Sequence, residues 1–229
     1  MGDVSTTSLD LPDWELVFRF TSGRLCLAFC ATVGERWRRG FERLRTPDDL
    51  GRWLLEAGIT DRAPTASADQ LTRARELREA IYRSVRAAMA GGSIAERDRQ
   101  LLNEAARQPA VSPQISSTGH RRHSGGADPV GAGLATVAAD AVDLLTSPAV
   151  SRVRECDAAD CALLFLDTSR PGRRRWCSDT ACGTRARTAA YRRRRQDVST
   201  PDADPSRPTS APPTPVAATS AGRCSRPDA

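Results

Sequence analysis

The chain has 229 residues, with 34 basic and 28 acidic side chains, a net charge of +6 and 39% hydrophobic residues. A mean hydropathy of -0.46 and the want of an apolar run near bilayer length argue against a membrane protein, while the size suits one medium domain plus a small module. Every basic residue is arginine, a uniformity that a GC-rich coding bias explains, so arginine abundance alone says little.

Residues 1–13 are polar and aperiodic, with neither a basic n-region nor an apolar h-region. They are expected to form a flexible leader, and a chain lacking a secretory signal is expected in the reducing cytoplasm, where disulfides are disfavoured. From Glu15 onward Leu16, Phe18 and Phe20 alternate with Val17 and Arg19. Thr21-Ser22-Gly23-Arg24 supplies turn chemistry, and Leu25, Leu27, Phe29, Ala31 and Val33 share one parity. The pattern predicts a β-hairpin. On such a strand Cys26 and Cys30 would lie about 13 Å apart, too far for a shared ion or a disulfide, so both read as buried small thiols.

Thr46-Pro47-Asp48-Asp49 has the chemistry of a helix start, and Leu50, Trp53, Leu54 and Ala57 follow at helical spacing until Gly58. Ser67 with Gln70 opens a longer helix whose apolar stripe runs through Leu71, Ala74, Leu77, Ile81, Val85 and Ala88. Ser93 with Glu96 opens a third, carrying Leu101, Leu102 and Ala105. The Gly- and Ser-rich stretch 108–131 holds the only two histidines, His120 and His123. It is expected to be an exposed loop or weak hairpin rather than a metal site, because no cysteine or carboxylate cluster accompanies them. Ala132 to Thr146 is apolar enough for a further helix, and Ser147-Pro148 then turns the chain toward Cys156. That short connection implies that the two parts of the protein pack together.

Residues 152–196 carry the chemistry. Cys156, Cys161, Cys177 and Cys182 form a C-x4-C-x15-C-x4-C pattern, the paired spacing that a tetrahedral four-thiolate Zn2+ site requires. Buried free thiols would not pair off symmetrically about a loop, whereas an iron-sulfur cluster is left open by spacing alone. The same 45 residues hold twelve arginines against five acids, so the positive charge of the whole chain resides there. Arg170, Arg173, Arg174, Arg175, Arg185, Arg187, Arg192, Arg193, Arg194 and Arg195 are the candidate polyanion-binding residues. Leu163, Leu164, Phe165 and Trp176 are the expected mini-core, Asp167 is placed to hold Arg170 or a neighbouring arginine, and Ser178 is the expected N-cap of a helix running to about Arg195. Residues 197–229, rich in Pro, Ser, Thr and Ala, read as a disordered tail with Cys224 alone in it.

The runs Phe165-Leu166-Asp167-Thr168-Ser169-Arg170, Arg173-Arg174-Arg175-Trp176-Cys177-Ser178 and Cys182-Gly183-Thr184-Arg185 resemble the CGNR zinc-finger family of bacterial transcription regulators. Thr184 stands where that family has its asparagine. The resemblance implies an N-terminal ABATE domain over residues 14–150, a stress-induced regulator module of α/β type. Ala28 and Ala31 stand where that family usually has Asp and Asn, so any ligand role of those positions is expected to be lost.

The expected fold class is α+β: an N-terminal β-hairpin and helical domain packed with a small four-cysteine zinc finger that ends in a basic helix. Function divides into two classes. In one, the finger binds duplex DNA while residues 14–150 sense a small molecule or form a homodimer. In the other, an enzyme resides in the N-terminal domain, against which stand the missing phosphate loop, nucleophile elbow and HExxH motif. An all-thiolate site is also closed to catalysis. RNA binding and protein interaction are the alternatives for the finger. The shortage of exposed aromatics for stacking unpaired bases favours duplex DNA, whose major groove an arginine-lined helix can enter.

Overall fold

The computed structural model describes residues 12–198; the leader up to residue 11 and the tail from residue 199, Cys224 included, lie outside them. The fold is α+β. Its body is built from five helices: α1 (Leu25–Cys30), α2 (Pro47–Glu56), α3 (Ala68–Met89), α4 (Glu96–Ala106) and α5 (Pro129–Thr146).

Two of the helix starts follow from local chemistry. Thr46 accepts from the Asp49 N–H while the Asp49 carboxylate accepts from the Thr46 N–H, and Ser67 and Gln70 make the same reciprocal pair, satisfying donors that the first turn leaves orphaned. α4 departs from expectation. Its N-cap is Ala95, with no side-chain cap, so Ser93 lies outside the helix.

The expected strands at 16–33 are also not formed. Leu25–Cys30 is a helix, and the hairpin lies just beyond it, pairing β1 (Val33–Gly34) with β2 (Phe41–Glu42). Cys26 and Cys30 are therefore one helical turn apart, and both are buried. Burial raises the Cys30 thiol to about 12, which leaves it a neutral packing group.

α5 is the hub, packed against α1, α2, α3 and α4. By length and composition it could cross a bilayer, a property that the overall hydropathy concealed. Here Val130, Leu134, Val137, Ala138, Ala141 and Leu144 are instead buried in one core with Phe29, Trp53, Leu54, Leu77 and Ile81. A buried ionic layer closes the other side of α3. Arg78, almost fully buried, donates to both oxygens of Glu42 at 2.8 Å and to Thr32 Oγ1 at 3.0 Å, and meets Glu79 at 2.8 Å. The bonds tie the hairpin to the helix.

His120 and His123 flank and enter a second hairpin, β3 (Ser112–Ile115) with β4 (Arg121–Ser124). His123 Nδ1 lies 2.9 Å from Asp61. After a 3-10 turn at Pro148–Arg152, β5 (Val153–Glu155) pairs antiparallel with β6 (Leu164–Leu166), and the Leu166 N–H donates to Ser22 O at 2.8 Å. Val153 and Leu164 are buried in the main core, so the C-terminal segment is packed onto the helical body.

Gly51 in α2 marks the closest approach of helix and loop, since a Cβ there would lie 2.2 Å from Pro64 O. Alanine gains about 1 kcal/mol of helix propensity, but crowding a backbone oxygen costs up to about 3 kcal/mol. Gly51→Ala is expected to destabilise by roughly 1–2 kcal/mol. A thermal melt with Tm unchanged or raised would show that the loop yields freely.

Candidate metal centre

The four cysteines come from two turns that face one another. Cys156 leaves β5 with its N–H on Leu163 O at 2.9 Å, and the Cys161 N–H turns back to Ala158 O at 2.9 Å. The second pair begins after Trp176. Ser178 Oγ accepts from the Ala181 N–H and starts a π-helical turn, Asp179–Gly183, which carries Cys182 and continues into α6 (Thr184–Val198). Two bonds join the turns directly: Asp157 N–H to Arg175 O at 2.9 Å, and Cys177 N–H to Cys156 Sγ at 3.4 Å.

All four Sγ atoms lie within 4.8 Å of one another, with Cys161–Cys177 at 3.8 Å and Cys177–Cys182 at 3.6 Å. A disulfide needs about 2.05 Å. A tetrahedron of sulfurs about 2.3 Å from a central zinc has edges near 3.8 Å. The donor set, its spacing and its count thus fit a structural Zn2+, and its closed all-thiolate chemistry leaves no coordination position for a reacting water. Four thiols this close cannot all ionise by themselves, because like charges repel, and a cation among them is what lets all four become thiolates. Arg185 Nη2 donates to Cys182 Sγ at 3.3 Å.

The small core around the sulfurs contains Ala158, Leu163, Phe165 and partly Trp176, while Leu164 turns into the main core instead. The cluster also contains Ala31 from the end of α1. Sequence reasoning singled out that position for the side chain it lacks. Its role is contact, because a methyl group fits where the body meets the finger. Ala28 is buried in the main core.

Asp167 does not hold Arg170. It is 1% exposed and accepts from Ser169 Oγ at 2.6 Å, Ser169 N–H at 2.9 Å and Arg174 N–H at 2.9 Å. The Ser169 hydroxyl, followed by the two backbone donors, lowers its carboxyl to about 2 from 3.8. The interaction is therefore complete above about pH 4 and is lost as pH falls toward 2.

The arginines sort into two groups. Arg174 is built inward: Nε donates to Trp176 O at 2.9 Å, Nη2 bonds Cys177 O, and the guanidinium lies 4.8 Å from the Phe165 ring. Arg175 pairs with Asp157 at 2.8 Å, Arg185 with Asp160 at 2.9 Å and Arg187 with Asp179 at 3.0 Å. Thr184 Oγ1 donates to Asp179 O and accepts from Arg187, both at 3.3 Å, so the hydroxyl is engaged at the departing position. Arg170, Arg173, Arg192, Arg193 and Arg194 are exposed and make no ion pair among the described residues. Tyr191 on α6 is 56% exposed, an aromatic that the sequence reading passed over.

Because Asp167 fixes the turn that delivers Arg174 to the carbonyls of Trp176 and Cys177, Asp167→Asn is expected to speed zinc release by about 10–100-fold at neutral pH. Competition with a chromophoric chelator reads the rate, and release at the unaltered rate would show that the turn and the sulfurs are uncoupled.

Comparison with known families finds two matches in succession along the chain. The ABATE model, described as "Putative stress-induced transcription regulator", matches residues 23–148, and the model described as "CGNR zinc finger" matches residues 152–195. No curated protein matches the chain in sequence. With more than half of the 229 residues covered by the first model and the four clustered cysteines inside the second, the chain belongs to the ABATE family and carries a zinc-binding CGNR finger.

Proposed function

We propose that the chain is a cytoplasmic, DNA-binding transcription regulator rather than an enzyme, in which Cys156, Cys161, Cys177 and Cys182 hold one structural Zn2+ and the finger contacts duplex DNA. The observation that carries this reading is the sorting of the arginines. Those that shape the finger are bonded within it, while Arg170, Arg173, Arg192, Arg193 and Arg194 are exposed and make no ion pair among the described residues, and Arg195 follows them on α6. Exposed guanidinium groups without counter-charges are what a phosphate backbone neutralises.

Arg185 and Arg187 are the candidates for base reading. Each must first leave a solvent-accessible carboxylate, a contact worth at most about 1 kcal/mol by itself, and Arg185 must also leave the Cys182 sulfur and Arg187 the Thr184 hydroxyl. Arg174 and Arg175 act in this scheme mainly by holding the finger's shape. Residues 14–150 form the ABATE-like part and 152–196 the finger; the first would supply the response to a small-molecule signal or a homodimer contact. The exposed Tyr191 ring amid arginines supports a second reading, single-stranded RNA, because unpaired bases stack on such a platform.

Metal analysis of cysteine variants tests the ligand set. Cys161→Ser and Cys182→Ser are expected to lose the zinc, and Cys26→Ser, Cys30→Ser and Cys224→Ser to keep it. Full zinc in either of the first two would remove the four-cysteine assignment.

Salt titration of binding tests the nucleic-acid contact. On duplex DNA log affinity is expected to fall by about 0.9 per phosphate for each unit of log salt, and Arg173→Ala to make the slope shallower by about one contact on all sequences alike. Arg185→Ala is expected to narrow the gap between specific and random duplex by about 1–3 kcal/mol. Tighter binding to single-stranded RNA than to any duplex would favour the second reading, and zinc-loaded protein that binds neither would defeat both.

A further inference from the structure

The four cysteines of the metal centre are not equivalent. Cys156, Cys177 and Cys182 are buried, at 5%, 1% and 0% exposure, whereas Cys161 is half-exposed. It is set in the wall of a cavity of about 270 Å³, which the N-terminal segment, the β1–β2 hairpin and the finger line together. The cavity has room for several molecules the size of water, so a small polar solute can reach this cysteine without unfolding of the finger.

Hydrogen bonding divides the sulfurs in another way. Cys156 Sγ accepts from the Cys177 N–H at 3.4 Å, and Cys182 Sγ accepts from Arg185 Nη2 at 3.3 Å. Neither Cys161 Sγ nor Cys177 Sγ accepts from a nitrogen donor among the described residues. An N–H donor draws charge from a thiolate and makes it a poorer nucleophile. The two sulfurs that keep their full nucleophilicity are therefore the accessible one and its neighbour 3.8 Å away. By contrast, Cys26 and Cys30 are buried in the helical core, and burial raises both thiols, that of Cys30 to about 12, so neither supplies a thiolate.

We propose that Cys161 and Cys177 form a peroxide-sensitive pair, whose oxidation to a disulfide opens the metal centre and releases the zinc. The pair exists only within the four-cysteine site proposed above and is independent of what the finger binds. With all four cysteines as thiolates, the Cys161 sulfur attacks one oxygen of hydrogen peroxide. The S–O bond forms, the O–O bond breaks, and the leaving hydroxide takes a proton to become water. The Cys177 thiolate then attacks the sulfenic acid so formed; the S–S bond forms, the S–O bond breaks, and a second water leaves. The two sulfurs lose two electrons and the two peroxide oxygens gain them. Closing from 3.8 Å to about 2.05 Å removes two of the four donors, and two thiolates do not make a closed zinc site. The turn that carries Cys182 continues directly into α6, so the basic helix loses its metal tether to the first cysteine turn.

Hydrogen peroxide added to the zinc-loaded full chain tests the pair, with a chromophoric chelator reading zinc and peptide mass spectrometry locating disulfides. Release is expected at least tenfold faster than without peroxide, with one zinc freed for each Cys161–Cys177 disulfide and zinc uptake restored after reduction by dithiothreitol. Cys161→Ser is expected to lose the metal by itself, so the informative variant is Cys161→His, which keeps a donor set of three cysteines and one histidine and removes the attacking sulfur. It is expected to hold zinc and to slow the peroxide-dependent release tenfold or more. Where it holds none, trapping of the sulfenic acid by dimedone in the unaltered chain decides instead, and the first adduct is expected on Cys161. A chain that binds no zinc before oxidation would remove the four-cysteine site itself, and the pair with it. Zinc retained under peroxide, a disulfide between any other two cysteines, first trapping elsewhere in the finger, or undiminished release from zinc-loaded Cys161→His leaves that site standing and overturns the peroxide-sensitive pair.

Discussion

The convergence of four sulfur atoms is the constraint on which the C-terminal part of the fold depends. The two cysteine turns have few apolar side chains of their own, and only Phe165 among the large ones is wholly buried between them. Metal binding in such modules is worth on the order of 10–16 kcal/mol, more than so small a core can supply through burial at about 25 cal/mol per Å². The cross-turn bonds from Asp157 and Cys177 have their geometry only when the sulfurs face one another. Arg174 then closes the second turn from outside, using a planar fork that can reach two carbonyls and lie on a ring at once. Lysine offers none of that.

The same economy explains how arginine is used throughout the chain. Arg78 satisfies Glu42, Glu79 and Thr32 from a buried position, Arg36 lies 4.0 Å from the Tyr82 ring while paired to Glu79, and Arg86 joins Trp37 in binding Glu155 of β5. A basic composition is thus not a uniform coat of charge. Many of these side chains act as multidentate cross-links, so their charge is already committed within the fold.

Much of this was legible in the sequence where the signal was local. The capping pairs Thr46–Asp49 and Ser67–Gln70 set helix starts, and the cysteine spacing marked the metal centre. Leu25–Cys30 misled because all six residues are apolar: with no polar face, a period of 2 and a period of 3.6 look alike over so short a run. Ser93 failed as a cap because chemistry at the right offset does not fix the backbone into a helical start. Asp167, expected to hold Arg170 or a neighbouring arginine, takes the Ser169 hydroxyl and the backbone N–H groups of Ser169 and Arg174 instead, and backbone donors are not displayed by sequence. The cavity beside Cys161 was hidden for another reason. Its wall is drawn from segments more than a hundred residues apart.

The burial of Val153 and Leu164 in the main core has a consequence for synthesis. A ribosome delivers the chain from the N-terminus at about 5–20 residues per second, so all five body helices emerge before the residues that complete their packing. For several seconds the nascent body presents an uncovered apolar notch, bordered by the Ser22 carbonyl that will later receive the Leu166 N–H. Packing of the body is in this way postponed until Val153 and Leu164 have left the exit tunnel, so the strands that carry the first cysteine turn also finish the N-terminal half.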